Sequence, residues 1–225
     1  MASPSPKTAI IDATLKLAAE KGWTRLKLSA IAKEARVSLS DIAEQFASKA
    51  DILGAFMART DAQLLERLEE EGIDAELPRD KLFDVIMCRF ELLEPHKPAL
   101  RRIANDMRQN PQDWAVTGNA ALRSQNWMLA GAGIEDTGFR AILKGGGLAY
   151  VYSRVFQTWL NEEDPGLSKT MVELDRRLRQ GETWLERSGT PVAIGNAVFQ
   201  FAKAFMRDRN RRRGGTSGAS ASAAE

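Results

Sequence analysis

The stretch LSAIAKEARVSLSDIAEQF, Leu28 to Phe46, decides the fold. Its apolar residues fall at helical spacing twice, as Leu28–Ile31–Ala32–Ala35 and as Leu39–Ile42–Phe46. Between them, Arg36 and Val37 form a tight turn. Ser38 stands where a helix N-cap is wanted, and Asp41 follows three residues later in capping-box position. Ile31, Ala32, Ala35, Val37, Ile42 and Phe46 therefore share an inner apolar face. Two short helices joined by a small turn, with polar groups on the outer face of the second, have the shape that enters a DNA major groove. The same shape is also a common scaffold unit, so this stretch alone fits both a reader and a support.

Outward from it, Lys7 to Lys21 reads as a helix with Ile10, Ile11, Thr14, Leu17 and Ala18 on its inner stripe. Gly22 sits just past its end, where a left-handed residue is favoured, and Trp23 turns back to the core. On the other side, Ser48 caps a helix from Lys49 to Glu71, with Asp51 at its third position. That helix is long enough to bridge from a small head into a second domain. Gly72 to Pro78 marks the boundary. Further helices follow at Lys81 to Leu93, Ala99 to Arg108, Gln112 to Ala132, Phe139 to Leu160, Leu167 to Arg187 and Pro191 to Arg207. Pro95 and Pro98 break the chain between the first two, and Gly145 to Gly147 interrupt the fourth. The expected organisation is a disordered tail at 1–6, a head at 7–48, a linking helix at 49–71, a helical domain at 79–207, and a basic then Gly/Ser/Ala-rich disordered tail at 208–225. No alternating strand pattern of useful length is present, so the class is all-α with nine or ten helices.

Composition narrows the chemistry. The net charge of +2 over 225 residues sets up no global field for nucleic acid, so any basic patch is local. The lone cysteine, Cys88, lies in an apolar run and reads as a buried reduced thiol. One cysteine allows no disulfide within the chain, which fits a cytoplasmic protein. The lone histidine, His96, stands between Pro95 and Pro98, where a surface or packing role fits better than a base. One His and one Cys make a metal site improbable, and no metal or cofactor is expected. No apolar run approaches a membrane span, and the N-terminus lacks an apolar signal core. An enzyme is not indicated: no carboxylate pair is set by a motif, no nucleophile is flanked by a base, and Gly145 to Gly147 are not preceded by a strand.

Ile10 to Phe56 resembles the DNA-binding head of TetR-type regulators. The likeness lies in Lys21-Gly22-Trp23-Thr24, Ile31-Ala32-Lys33-Glu34-Ala35, Val37-Ser38, Phe46, Ser48-Lys49 and Asp51-Ile52-Leu53. It implies a homodimer whose heads read a palindromic operator and whose helical C-terminal domain binds a small ligand that releases DNA. It places the DNA-facing residues at Lys27, Ser29, Ser38, Leu39, Ser40, Asp41, Glu44, Gln45 and Lys49. Lys49 matches the family lysine at the start of the long helix, which suits a phosphate contact. Several residues depart from the pattern. The family's turn glycine is Arg36, whose left-handed conformation would cost on the order of 1 kcal/mol. Its recognition-helix aromatic is Ala43, Leu39 stands at a basic or small polar position, Asp41 stands where Thr is usual, and Glu44 adds another negative charge. Acidic side chains oppose phosphate binding, whereas Gln45 can pair with adenine.

In the C-terminal half the same resemblance would build the dimer from the last two long helices, 139–160 and 167–187, with their partner copies. Trp127, Tyr152, Phe156 and Trp159 are the candidate ligand-lining residues. They carry no charged anchor, so the ligand is expected to be small and apolar. A second resemblance, through Leu82-Phe83-Asp84 to Pro95-His96, Leu148 to Tyr152 and Leu174 to Leu178, is to the ubiquinone-biosynthesis accessory family. That family shares the fold, no longer reads DNA and presents an isoprenoid lipid at a membrane surface. Val198, Phe199, Phe201, Phe205 and Met206, followed by Arg207, Arg209 and Arg211 to Arg213, fit such an amphipathic basic helix.

Overall fold

The computed structural model describes residues 5–73, 75–109, 111–134 and 139–187. Among them are nine α-helices and one short 3-10 turn. Two compact units divide the chain, Met1–Gln180 and Gly181–Glu225, and the described buried core lies in the first. The expected helix at 191–207 and the tail beyond it fall outside the described residues.

The head is built from α1 (Pro6–Lys21), α2 (Leu28–Ala35) and α3 (Leu39–Gln45), followed by α4 (Lys49–Glu71). Pro6 occupies the first turn of α1, where its missing N–H is not needed. Gly22 ends α1 at φ +83°. Trp23 is fully buried beneath the hairpin, with Ile10, Ile31 and Ile42 around the same core. The expected capping box is present: the Asp41 N–H donates to Ser38 Oγ at 3.0 Å, and the Ser38 N–H donates to Asp41 Oδ2 at 2.7 Å. Ser48 caps α4 by accepting from the Asp51 N–H.

The turn after α2 is a Schellman motif. Arg36 holds φ 56° and ψ 42°, the Val37 N–H reaches the Ala32 carbonyl at 3.0 Å, and the Arg36 N–H reaches Lys33 at 3.3 Å. The left-handed arginine expected from the sequence is therefore real.

The second half comprises α5 (Pro78–Leu93), a 3-10 turn (Glu94–His96), α6 (Lys97–Gln109), α7 (Pro111–Gly131), α8 (Phe139–Asn161) and α9 (Ser168–Arg187). Two expectations change here. Pro95 and Pro98 do not leave a loop: Pro95 lies in the 3-10 turn and Pro98 in the first turn of α6, where a missing N–H costs nothing. Nor do the three glycines break α8, which runs continuously through them. Gly146 and Gly147 are exposed, and a Cβ at either would meet nothing within 4 Å in this chain.

Candidate nucleic-acid interface

The helix α3 is short, and its geometry is set by its neighbours. Ile42 and Phe46 are buried and seat it on α1 and α2. What remains outside is Ser38, Leu39, Ser40, Ala43, Glu44 and Gln45, all exposed. Leu39 leaves 53% of its surface open. Asp41 is partly buried, and its carboxyl lies below the usual carboxylate range because the Ser38 N–H and hydroxyl bond to it. It serves the helix frame. Gln45 Nε2 donates back to the Asp41 carbonyl at 3.4 Å. Glu44 makes no hydrogen bond or ion pair among the described residues.

Cations surround this face without lying on it. Lys27 and Ser29, at the start of α2, are exposed, as are Lys33 and Arg36. Lys49 Nζ donates to the Trp23 carbonyl at 2.8 Å and lies 4.9 Å from the Trp23 ring centre. An ammonium has three donors, so two remain for a phosphate at the first turn of α4. Lys16 pairs with Glu34 at 2.5 Å, tying α1 to α2.

The head is fastened to the second half through α6. Asp106 Oδ2 accepts from the Thr24 N–H at 3.0 Å, and the same oxygen stands 3.0 Å from where a Cβ on Gly22 would lie. Glycine is required there both by its positive φ and by this close approach. Arg102 Nη1 donates to the Glu20 carbonyl at 3.3 Å, so α6 grips both the C-terminal end of α1 and the link that follows it.

Of the four aromatic candidates in the second half, three come together. Tyr152, Phe156 and Trp159 of α8 stack with Phe90 of α5 at ring separations of 5.3 to 6.5 Å. Trp159 is fully buried, and its Nε1 donates to Glu94 Oε2 at 2.9 Å. Trp127 lies apart, 51% exposed on α7. A surface groove of about 550 Å³ lies nearby, lined by Glu94, Lys97, Arg101, Glu162 and Leu167, and none of the four aromatics lines it.

Sequence reasoning missed the polar centre beside this aromatic layer. Arg89 of α5 and Asp61 of α4 form a buried ion pair. Ser124 of α7 donates to Asp61 Oδ1 at 2.6 Å, and Arg89 Nε donates to the Tyr152 hydroxyl at 3.2 Å. Four helices are thus joined by one network. Burial alone would lower the Arg89 pKa, but Tyr152 and Asp61 raise it, so the guanidinium stays charged. Burial pushes the Tyr152 phenol up. The available signal was register: Arg89 falls in the apolar stripe of α5, where a charge requires a partner.

Among the described residues no group of His, Cys, Asp or Glu is placed to hold a metal ion, and no helix is long and apolar enough to cross a membrane. The basic amphipathic segment at 198–213 falls outside the described residues.

Comparison with known proteins bears on this interface. Residues 10–56 match the model of bacterial regulatory proteins of the tetR family. A fatty acid metabolism regulator protein of Bacillus subtilis is 37% identical over 84 residues, 37% of this chain and 43% of that protein. The match thus spans less than half the length of that relative. A TetR transcriptional regulator from Nitrosomonas europaea has the same fold, with a TM-score of 0.63 and 22% identity over 80% of this chain and 99% of that one. A second, from a Rhodococcus species, gives a TM-score of 0.60 at 19% identity, covering 78% of this chain and 94% of that one.

Proposed function

We propose that this chain, which belongs to the TetR family of bacterial regulatory proteins through its head, is a homodimeric transcriptional regulator that reads a palindromic operator and is released from it by a small apolar ligand. One observation carries the reading. The capping box of Ser38 and Asp41 fixes α3 on its buried face and leaves Leu39, Ser40, Glu44 and Gln45 open for base edges. Lys27, Ser29 and Lys49 flank it as backbone contacts, which position the helix rather than specify sequence. The family match falls on this head and not on the C-terminal half, which favours DNA over the lipid-accessory reading.

The domain roles follow the helices. Residues 7–48 form the reading head, 49–71 the link, and 79–207 the ligand and dimer domain. The dimer is supported by unpartnered surface on α8 and α9. Gly146 and Gly147 leave open space along α8, while Met171 and Val172 on α9 are 41% and 69% exposed. Small residues let a second helix approach closely. The ligand would lie against the Phe90, Tyr152, Phe156 and Trp159 layer, the packed aromatic layer of the second half that also meets a polar centre. The name of the Bacillus relative makes fatty acids the first compounds to try.

The test is recovery of genomic fragments on the full-length protein, followed by a salt titration on the best fragment. The expected result is an inverted repeat bound with a steep salt slope, and Lys49→Ala, which removes one phosphate contact from each of the two heads, lowers that slope by about 2. Recovery of no common sequence overturns the reading.

A further inference from the structure

The outer face of α3 is chemically narrow. Residues 39 and 43 lie one above the other on a helix, as do 40 and 44. The first pair is Leu39 and Ala43, both exposed and apolar. The second is Ser40 and Glu44, both exposed and polar. The sequence of α3, LSDIAEQ, contains no cation. Its two carboxylates differ in circumstance. Asp41 is held by Ser38 inside the helix frame, whereas Glu44 has no partner among the described residues.

In the major groove guanine shows two acceptors, which repel a carboxylate. Cytosine shows an amino donor alone, adenine shows one beside its N7 acceptor, and thymine shows a methyl group. A face that carries a free carboxylate and an apolar stripe, but no guanidinium or ammonium, fits the second set and not the first. A carboxylate there also weakens the general attraction to phosphate. Its effect is favourable only where it meets a base donor.

We propose that Glu44 is a specificity-determining residue that accepts a hydrogen bond from the amino group of a cytosine in each half-site, with Leu39 and Ala43 set against the methyl of a neighbouring thymine. This rests on the DNA-binding reading above and adds its sequence preference. The cations needed for phosphate contact lie outside α3, at Lys27, Lys33, Arg36 and Lys49. Attraction and reading are therefore divided between separate elements.

The experiment is selection from a randomised duplex pool by the full-length protein and by its Glu44→Gln and Glu44→Ala variants in parallel. The parent is expected to enrich a motif with cytosine at one position of each half-site, discriminated roughly 5- to 150-fold, the usual range for one good base contact. Glu44→Gln should change that position to adenine and leave the others as they were. Glu44→Ala should lose the preference there and bind random DNA more tightly, because a repulsive charge is gone. Leu39→Ala should relax an adjoining thymine. Glu44 is exposed and unpaired, so each residue-44 variant should melt with the parent, which excludes misfolding as the cause. A parent motif that lacks the cytosine, or one unchanged by Glu44→Gln, overturns this inference and leaves DNA binding standing. Enrichment of no motif by the parent overturns DNA binding and this inference with it.

Discussion

The helix-turn-helix and the polar centre of the second half are held together by different means. In the first, the decisive bonds join residues three apart: Ser38 with Asp41, Ser48 with Asp51. In the second, they join residues 28 and 63 positions apart: Arg89 with Asp61, Ser124 with Asp61, Arg89 with Tyr152. The head owes its shape to local signals plus a small apolar seat. The second half owes its arrangement to one charged contact on which α4, α5, α7 and α8 converge. A local device can fail alone at modest cost, whereas a shared buried charge cannot.

Four measurements would break or sharpen this contrast. The largest effect is expected at the polar centre. Arg89→Ala leaves the Asp61 carboxylate buried without its partner and should cost about 3–5 kcal/mol in urea denaturation. Replacing both residues with apolar side chains of similar volume should recover most of the loss. If Arg89→Ala costs no more than the loss of a helix cap, the contrast fails.

The second measurement compares two helix ends of the same kind. The Ile134 N–H reaches Leu129 and the Gly133 N–H reaches Ala130, a Schellman end to α7 with Gly133 at φ +68°. The same pattern ends α2 with Arg36 in the glycine position. Gly133→Ala should destabilise by about 1–2 kcal/mol, and Arg36→Gly should stabilise by about 1 kcal/mol. Opposite signs from the same motif would show that the strain at the end of α2 comes from a side chain in the glycine position. Arg36→Gly should also weaken DNA binding if the guanidinium meets phosphate, which a salt titration would read.

Third, Ser38→Ala removes the cap of α3 and should cost about 1 kcal/mol. Because α3 carries the reading face, its effect on operator affinity should exceed its effect on the melting of the chain.

The smallest effects are in pH. His96 lies 5.1 Å from Phe56 in an edge contact, and burial, with Arg59 adding to it, lowers its pKa. The unfolded chain then takes up the proton first as pH falls. Stability should decline below the ordinary histidine value of about 6.5 and level off below the folded value. Asp41 in the head behaves differently. Its stabilisation is full above the ordinary carboxylate range and is lost only as pH falls through its lowered folded value. Urea midpoints across pH should therefore show two separate declines, with the upper one absent in His96→Asn.

Much of the head was legible because its determinants lie close together in the chain. Helical spacing from Leu28 to Phe46, a capping residue with its partner three positions on, and a glycine after α1 are all local facts. The committed Asp41 and the free Glu44 differ by one structural circumstance, the bond to Ser38, and the capping spacing already pointed to it. The second half was less legible. The stripe on α5 included Arg89, but no pattern indicated Asp61, Ser124 and Tyr152 as its partners. Pro95 and Pro98 read as breaks, because their harmless placement depends on which turn each enters.

The sequence by itself determined that this protein is helical, where α2 and α3 lie, and which residues of α3 turn outward. Helical period, caps and turns operate over a few residues, so their physics is written locally. Only the tertiary structure decided which buried charge meets which, that Asp106 of α6 closes on Gly22 and Thr24, and that Phe90 joins Tyr152, Phe156 and Trp159 in one layer. Those contacts depend on how helices cross, and burial makes each of them strong only once the helices have met.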